Sequence, residues 1–346
     1  MSSLVQSLSH SWQPFVLITG LLFIGHVAAR EGLFESVGHL VARTPGNDVA
    51  LFVVTMIAIA IVTALLNLDT SVVFMTPVAL HAARARDGDE MAFAFGAILM
   101  SNAASLLLVG SNLTNMLVFA THPVRGTVFA GHMALAWAAS VALTIGVVIG
   151  WRRRQLLRPS EASTEPVNWH VGPGTVAAIG AVLLMLLTSQ PALFVFAIGA
   201  VLEVKNLVGR RRVQLSEVFD VASPRVVFPL FVVAVLVGWL GRNWHAAGNL
   251  IAHSNSLTTA AVAAGLSLVI NNLPAASLFA GQRIAHPYSL LIGLDLGPNA
   301  FVTGAMSTML WFRIVRSEGL SPTVMQFVRV GVPVTVVTLC AASLLV

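Results

Sequence analysis

Polar residues that could bind a solute or carry a proton interrupt two hydrophobic stretches of this chain at matching positions. Residues 98–119 read ILMSNAASLLLVGSNLTNMLVF, and residues 291–312 read LIGLDLGPNAFVTGAMSTMLWF. When these stretches are aligned from their first residues, Asn102 aligns with Asp295. Amides, hydroxyls and a carboxylate at such positions can hydrogen-bond a small solute, and a carboxylate can also exchange a proton.

Two acidic residues lie in strongly hydrophobic surroundings. Asp69 follows the apolar run 49–66 and precedes another, and Asp295 lies within the sequence Gly-Leu-Asp-Leu-Gly-Pro. A carboxylate at membrane depth is energetically costly and is a functional candidate by default. The alternative is that each carboxylate caps the N-terminus of the helix that follows it. We assign Asp69 and Asp295 as candidate proton-coupling residues and keep the capping alternative open.

Neutral polar residues near these carboxylates complete the candidate site. Hydroxyls and amides donate and accept hydrogen bonds, which suits a neutral polyhydroxylated solute or a partly dehydrated ion. Half-helix N-termini at the breaks would add positive potential. The alternative for any one of these residues is a hydrogen bond between packed helices. The candidate substrate-binding residues are Asn102, Ser111, Asn112, Thr114, Asn115, Asn271, Asn272, Thr303 and Ser307.

The composition indicates which class of protein positions these residues. Of the 346 residues, 57% are hydrophobic and 10% are charged, and the mean hydropathy is +0.86. A soluble protein carries about 25% charged residues, whereas apolar runs of roughly 17–25 residues, as here, are what a bilayer requires. The sequence therefore predicts an all-α multi-pass protein of the cell membrane. Its basic residues lie in loops that flank the membrane, which argues against nucleic acid as a partner.

Several kinds of catalytic and metal chemistry are not indicated by the sequence. The single cysteine, Cys340, cannot form an intramolecular disulfide or a cysteine metal cluster. No glycine-rich phosphate loop, HExxH motif or GxSxG motif occurs. We therefore expect no enzyme activity, no metal site and no cofactor, and we expect that transport is not driven by ATP hydrolysis within this chain.

The hydrophobic segments predict eight full spans and two hairpins that enter the membrane and return. The hairpins cover 49–83 and 257–280, and the two broken helices cover 91–120 and 288–311. Lipid cannot satisfy the backbone groups freed by a turn or break, so these positions must line a protein-enclosed or watery site. Simple packing of small residues is the alternative, but packing does not require Asn, Asp and Pro in register in both halves. The remaining predicted spans are 14–30, 127–150, 173–188, 190–204, 224–241 and 323–345.

The distribution of Lys and Arg predicts how the spans are oriented. Cytoplasmic loops of membrane proteins carry an excess of these residues. With Arg152 placed in the cytoplasm, fifteen of the nineteen lie inside, and three, Arg125, Arg242 and Arg283, lie outside. This topology opens the two hairpins to opposite sides, so the halves are predicted to be inverted repeats. The predicted domains are a first repeat at 1–150, a cytoplasmic linker and two-helix connector at 151–223, and a second repeat at 224–346.

Four segments of the chain resemble the arsenite/antimonite efflux permeases of the ion transporter superfamily. They read LNLDTSVVFMTPVAL, GSNLTNMLVF, NNLPAASL and GLDLGPNAFVTGAMSTMLWFRIV. The resemblance implies an inverted-repeat fold with two hairpins and two broken helices around a midplane site. It also implies alternating access and export of a trivalent metalloid oxyacid against protons. The residues to which it points are Asp69, Asn112, Asn115, Asn271, Asn272, Asp295 and Pro298.

Three transport functions are compatible with these features. Arsenous acid is mainly neutral near neutral pH, and its site would use hydroxyls and amides, which agrees with turns and breaks that lack Arg and Lys. A di- or tricarboxylate carrier would favour a bidentate arginine, and the nearest, Arg283, lies past the second hairpin. A sodium/proton antiporter could use Asp69 and Asp295. We favour an arsenite/antimonite exporter coupled to proton influx, with lipid around it; a homodimer and a separate cytoplasmic ATPase subunit remain open.

Overall fold

The computed structural model describes residues 3–157, 171–208, 224–243, 246–280, 282 and 284–346, and in these it contains helices and no strands. The centre of the predicted cytoplasmic linker and the loop after the connector lie outside the described residues. The helices are α1 (Ser3–Arg30), α2 (Leu33–Ala42), α3 (Asp48–Leu65), α4 (Leu68–Arg84), α5 (Glu90–Ala104), α6 (Leu113–Val118), α7 (Gly126–Trp151), α8 (Arg153–Leu156), α9 (Pro173–Leu187), α10 (Ala192–Val208), α11 (Pro224–Asn243), α12 (Ala246–Ile251), α13 (Ser256–Ile270), α14 (Asn272–Phe279), α15 (Pro287–Leu296), α16 (Met306–Ser317) and α17 (Val324–Ser343).

Long apolar helices confirm the predicted class, an all-α multi-pass membrane protein. By length and composition, α3, α7, α17 and the part of α1 from Val5 onward can each cross a membrane. Five shorter apolar helices accompany them, namely α2, α5, α9, α13 and most of α11. Two helices extend furthest beyond the ends that the hydropathy pattern predicts. The first begins at Ser3 instead of residue 14, and α16 continues past residue 311 to Ser317, because backbone hydrogen bonding continues into polar sequence at the membrane boundary.

An asparagine makes the turn in each of the two helical hairpins, α3–α4 and α13–α14. The Asn67 side chain accepts a hydrogen bond from the backbone N–H of Thr70 at 2.8 Å, and Asn271 accepts one from that of Leu273 at 3.3 Å. Both asparagines thus cap the returning helix. Asn271 has a φ of 73°, in the left-handed region that asparagine enters more easily than most residues.

The two broken helices resume at equivalent positions. After α5 ends, the first break contains a 3-10 turn at Val109–Ser111, and α6 follows Asn112. After α15 ends, the second break contains a 3-10 turn at Gly297–Ala300, and α16 follows Ala305. Asn112 and Ala305 are aligned residues of the repeated stretches 98–119 and 291–312. The repeat in the sequence therefore coincides with a repeat in where the helices restart.

The two halves of the chain interlock around these breaks. The resumed helix α6 packs against α14, and the resumed helix α16 packs against α4. Each short helix thus contacts the returning arm of the hairpin in the other half. The connector helices α9 and α10 pack on α1. Trp311 of α16 is fully buried, and its indole N–H donates to the carbonyl of Ala94 in α5 at 2.8 Å, which joins the second break to the first broken helix.

Candidate substrate site

Four helix N-termini meet at one cavity between the two halves. The cavity has a volume of about 40 Å³, and since a water needs roughly 10–15 Å³ of such volume, it has room for about three waters or one small solute. It is surrounded by the first residues of α4, α6, α14 and α16 and by one residue of α11. The lining residues are Leu68, Asp69, Asn112, Leu113, Thr114, Leu230, Asn271, Asn272, Leu273, Ala305, Met306 and Ser307.

The convergence of helix N-termini has an electrostatic consequence. The N-terminus of a long helix carries about half a positive charge, and that of the six-residue α6 carries less, so the four together supply on the order of one to two positive charges to the cavity. Asp69 lines the cavity, and Asp295 is hydrogen-bonded to Asn112 and Thr114 of its wall. With both carboxylates ionised, the negative charge is about equal to the positive potential of the helices. Such a site is close to neutral, and protonation of one carboxylate makes it positive.

Asp69 lies half-buried in the first turn of α4. Among the described residues its carboxylate has no hydrogen-bond or ion-pair partner. The capping role that the sequence left open belongs instead to Asn67, whose side chain accepts from Thr70. The Asp69 carboxylate therefore lies at the cavity with its oxygens available to a solute or a proton.

Asp295 has a different environment, although it is the same type of residue. It is fully buried, and its Oδ1 accepts hydrogen bonds from Thr114 Oγ1 at 2.5 Å and from Asn112 Nδ2 at 2.9 Å. Its Oδ2 accepts one from Ser105 Oγ at 3.3 Å. Ser105 and Asn112 belong to the first break, and Thr114 belongs to the helix that resumes after it. Asp295 thus joins the two broken helices from behind the cavity wall. Ser105 was not predicted, although its position within the first break was a signal that could have identified it.

A pair of buried amides forms a second link between the breaks. Asn102 Nδ2 donates to Asn299 Oδ1 at 2.7 Å, and Asn299 Nδ2 donates to the carbonyl of Leu99 at 3.2 Å. Both asparagines are fully buried, and neither lines the cavity. Asn299 is a further residue that the sequence analysis missed, and its place directly after Pro298 was the available signal.

In each half, one hydroxyl group donates a hydrogen bond from the break to the hairpin. Ser111 Oγ donates to the carbonyl of Ala64 at 3.3 Å, and Thr303 Oγ1 donates to that of Leu268 at 2.8 Å. Both acceptors lie three residues before the asparagine of their hairpin turn. These bonds hold the turn and the break of each half side by side, which brings their helix N-termini to the same cavity.

The predicted site residues thus fall into two groups. Six line the cavity, namely Asp69, Asn112, Thr114, Asn271, Asn272 and Ser307. The other five hold the turns and breaks around it, namely Asn102, Ser111, Asn115, Thr303 and Asp295. In the first group the hydroxyl of Ser307 is buried without a hydrogen-bond partner, so it is free to bond a solute.

Comparison with known proteins identifies the family. The sequence model of the citrate transporters, CitMHS, matches residues 3–311. The chain belongs to this family. A curated relative named arsenical pump membrane protein, from Yersinia enterocolitica, is 26% identical over 96% of this chain and 86% of its own length. The proteins of the same name from Escherichia coli and its strain K12 are 24% identical with the same coverage. These relatives confirm the resemblance recognised in the sequence.

A solved structure supports the fold of this family member. The Alcanivorax borkumensis YdaH transporter, described as having an unusual topology, has a TM-score of 0.57 and 16% sequence identity. The match covers 99% of this chain and 86% of that one. The family and its relatives therefore establish a membrane transporter with several membrane-crossing helices.

The chemistry of the cavity limits which solutes this family member can hold by direct contact. Among the described residues, no Lys or Arg lines the cavity, and no group of three or more His, Cys, Asp or Glu is placed to hold a metal ion. Cys340 is exposed near the end of α17 and is not among the lining residues. The available contacts are hydroxyl, amide, backbone N–H and carboxylate groups.

Proposed function

We propose that this protein exports trivalent arsenite or antimonite from the cell as the neutral oxyacid, in exchange for protons. One observation carries the proposal: four helix N-termini and the carboxylate of Asp69 line a small cavity, Asp295 lies behind its wall, and no Lys or Arg is among the described lining residues. The names of the curated relatives support the same substrate class.

A neutral oxyacid fits the charge and the hydrogen-bonding groups of the cavity. Its hydroxyls can donate to Asp69 and can accept from the free hydroxyl of Ser307 and from backbone N–H groups at the helix starts. The near balance between helix dipoles and carboxylates means that a solute without charge enters at little electrostatic cost. The cavity volume of about 40 Å³ also suits a solute with few atoms.

Asp69 is the group that we assign to proton exchange. A proton from the outside binds its free carboxylate, removes one negative charge from the cavity and takes the position of a hydroxyl donor of the solute. The proton then leaves to the cytoplasm while a new solute molecule binds. Asp295 remains the acceptor that holds Asn112 and Thr114 in place. One proton and one solute therefore compete for the same oxygens, which couples their movements in opposite directions.

Transport of a di- or tricarboxylate is the second candidate, because the family is named for citrate transporters. Four helix N-termini can offer backbone N–H donors to an anion. The carboxylate of Asp69 at the cavity and that of Asp295 behind its wall would nevertheless repel such a solute, since no Lys or Arg is among the described lining residues. A sodium/proton exchanger, which would use Asp69 and Asp295, is the third candidate and has no separate observation in its favour.

The test is uptake by everted membrane vesicles from a host without its own arsenite exporter, energised by an imposed pH gradient. Labelled arsenite and antimonite are compared with citrate, succinate and sodium. We expect gradient-dependent accumulation of arsenite, which Asp69→Asn reduces to the level of vesicles that lack the protein. Asp87→Asn is the matched control, since Asp87 is exposed on the loop between α4 and α5.

Two results would contradict the proposal. Accumulation of citrate or succinate without arsenite would assign the protein to organic anions and would keep the site. Full arsenite transport by Asp69→Asn at normal expression would remove Asp69 from the coupling mechanism.

A further inference from the structure

A second pair of titratable side chains lies outside the cavity, between α1 and α10. His26 Nδ1 lies 3.1 Å from Glu203 Oε2. Glu203 is 1% exposed, and its other oxygen, Oε1, is buried without a hydrogen-bond partner. Burial of a carboxylate costs free energy unless the carboxylate is paired and hydrogen-bonded, and here one of its two oxygens has neither kind of partner. The pair does not contribute to the cavity described above.

A second buried polar atom without a partner lies close to Glu203 in the chain. Asn206 lies one helical turn further along α10, and its amide nitrogen is also buried without a partner. Glu203 and Asn206 of α10 thus leave one acceptor and one donor buried without a partner, and Glu203 lies beside the imidazole of His26. Histidine is the side chain that gains and loses a proton near neutral pH. These groups have the chemistry of a proton-binding site.

The same stretch of α1 touches the first hairpin turn. A Cβ added at Gly25 would lie 2.7 Å from Cγ2 of Thr70, so the α1 backbone lies directly against that side chain. Thr70 is fully buried and follows Asp69 in the chain. α1 therefore contacts Glu203 through His26, and it contacts the first hairpin turn through the preceding residue, Gly25.

We propose that His26 and Glu203 form a second proton-binding site, whose occupancy sets how firmly α1 holds the turn of the first hairpin. The link to solute export rests on the proposed function, whereas proton binding and its effect on the turn do not.

The chemistry involves one proton and no other reactant. With the proton bound, imidazolium and carboxylate form an ion pair. When the proton leaves to water, a neutral imidazole remains beside a buried carboxylate anion that has lost its compensating charge. Since an unpaired buried charge is strongly destabilising, the contact between α1 and α10 weakens on proton loss. The position of α1 against Thr70 then becomes less constrained.

Other charged groups near α1 have partners of their own. The carboxylate of Glu31 accepts hydrogen bonds from the backbone N–H of Gly174, at 2.8 Å to Oε2 and 3.1 Å to Oε1. Arg242 of α11 donates to Ser7. Glu203 is the described group at ion-pair distance from His26. The other titratable residues on α1 and on the helices packed against it are His10, Arg30, Glu35, His39, Asp69, His81, Arg84, Lys205 and Arg225.

The proposal is tested first without any solute, by hydrogen–deuterium exchange of the purified protein in lipid nanodiscs. Exchange of backbone amides in the first hairpin turn is measured from pH 5.5 to 8.5 and corrected for the intrinsic rate at each pH. We expect the turn to exchange about ten-fold faster at the upper end of this range than at the lower end. His26→Gln and Glu203→Gln should each abolish this pH dependence.

Two further variants separate a proton site from a packing contact. Glu31→Gln, which removes another carboxylate close to α1, should keep the pH dependence of exchange. The double variant that swaps the two residues, His26→Glu with Glu203→His, should restore the pH dependence of amide exchange that the single Gln variants lose. An unchanged pH dependence in both Gln variants overturns the proposal, as does its loss in Glu31→Gln.

Vesicle transport provides the second readout. If the pair acts only through the hairpin, Glu203→Gln should change the maximal rate of arsenite uptake and its pH profile, with KM unchanged. An increased KM would place the pair in contact with the solute and contradict the assignment. If arsenite is transported but the Gln variants keep the pH dependence of exchange, the assignment of the His26–Glu203 pair is wrong and the proposed function stands. If exchange behaves as expected but arsenite is not transported, the proposed substrate is wrong and the assignment of the pair stands.

Discussion

At the scale of single residues, two aspartates of the same chain are in opposite environments. Asp295 is fully buried and accepts three hydrogen bonds from the first break and the helix that resumes after it, whereas Asp69 lines the cavity without a described partner. Hydrogen bonds from neutral donors hold the buried carboxylate of Asp295 in place, whereas the free carboxylate of Asp69 can bind a proton or a solute. The two residues should therefore respond differently to the same substitution.

Asp295→Asn should reduce stability, and Asp69→Asn should leave it nearly unchanged. In the first variant the hydrogen bonds from Thr114 and Asn112 end on a neutral amide oxygen instead of a carboxylate oxygen, and this loss of charge assistance costs about 1 kcal/mol. Thermal unfolding of the purified variants in detergent, followed by the uptake assay, measures both effects. Equal melting temperatures for the two variants would contradict the assignment of separate roles.

Ser307→Ala should weaken solute binding without lowering stability. The hydroxyl of Ser307 is buried at the cavity without a partner, so its removal loses nothing in the empty protein. One hydrogen bond to a solute is worth about 0.5–1.5 kcal/mol, which is roughly a two- to ten-fold increase in KM. Ser317→Ala, at the exposed end of the same helix, is the control. An unchanged KM would exclude Ser307 from the contact surface.

At the scale of helices, the breaks depend on close approach between backbones. Gly331 of α17 is the clearest case, because a Cβ at this position would lie 1.8 Å from the carbonyl oxygen of Asn299. The 3-10 turn of the second break thus rests directly on α17, and the amide of Asn299 is held in place to meet Asn102. A side chain at position 331 would displace the break from its partner.

Gly331→Ala should therefore destabilise the protein and impair transport. Overpacking of this kind costs about 1–3 kcal/mol, which thermal unfolding can resolve. Gly265→Ala on α13 is the matched control, since no atom lies within 4 Å of its added Cβ. Alanine is the better helix former by roughly 1 kcal/mol, so the control should be neutral or stabilising. Destabilisation of both variants to the same degree would show that the contact with Asn299 is not the cause.

At the scale of the whole molecule, the site exists only where the two halves interlock. Contacts α6–α14 and α16–α4 cross between halves. An ion-pair group supports the same arrangement at the end of the bundle, where Arg84 of α4 contacts Glu318 at 2.7 Å and Glu90 at 2.8 Å. These side chains are about one-third exposed, so the ion pairs contribute little stability. The apolar packing of the helices provides most of the attachment.

The inverted orientation of the halves remains a prediction, and labelling of single cysteines tests it. Cys340→Ser removes the only cysteine. In this background, Pro45→Cys before α3 and His253→Cys before α13 place thiols at exposed positions ahead of the two hairpins. A membrane-impermeant maleimide should label position 253 from outside intact cells and position 45 only in everted vesicles. Labelling of both from the same side would exclude inverted repeats.

The sequence by itself determined the class of protein, the positions of the turns and breaks, and the family. Hydropathy and the spacing of polar residues are local properties of the sequence. Because unsatisfied backbone groups are costly in lipid, each break is accompanied by polar residues that interrupt the hydrophobic stretch. The tertiary structure decided which polar residues face the cavity and which hold it together. Asp295 meets Thr114, and Asn102 meets Asn299, across separations of about 180 to 200 residues. Which helix faces meet depends on side-chain packing between distant segments, and no local pattern in the chain encodes that choice.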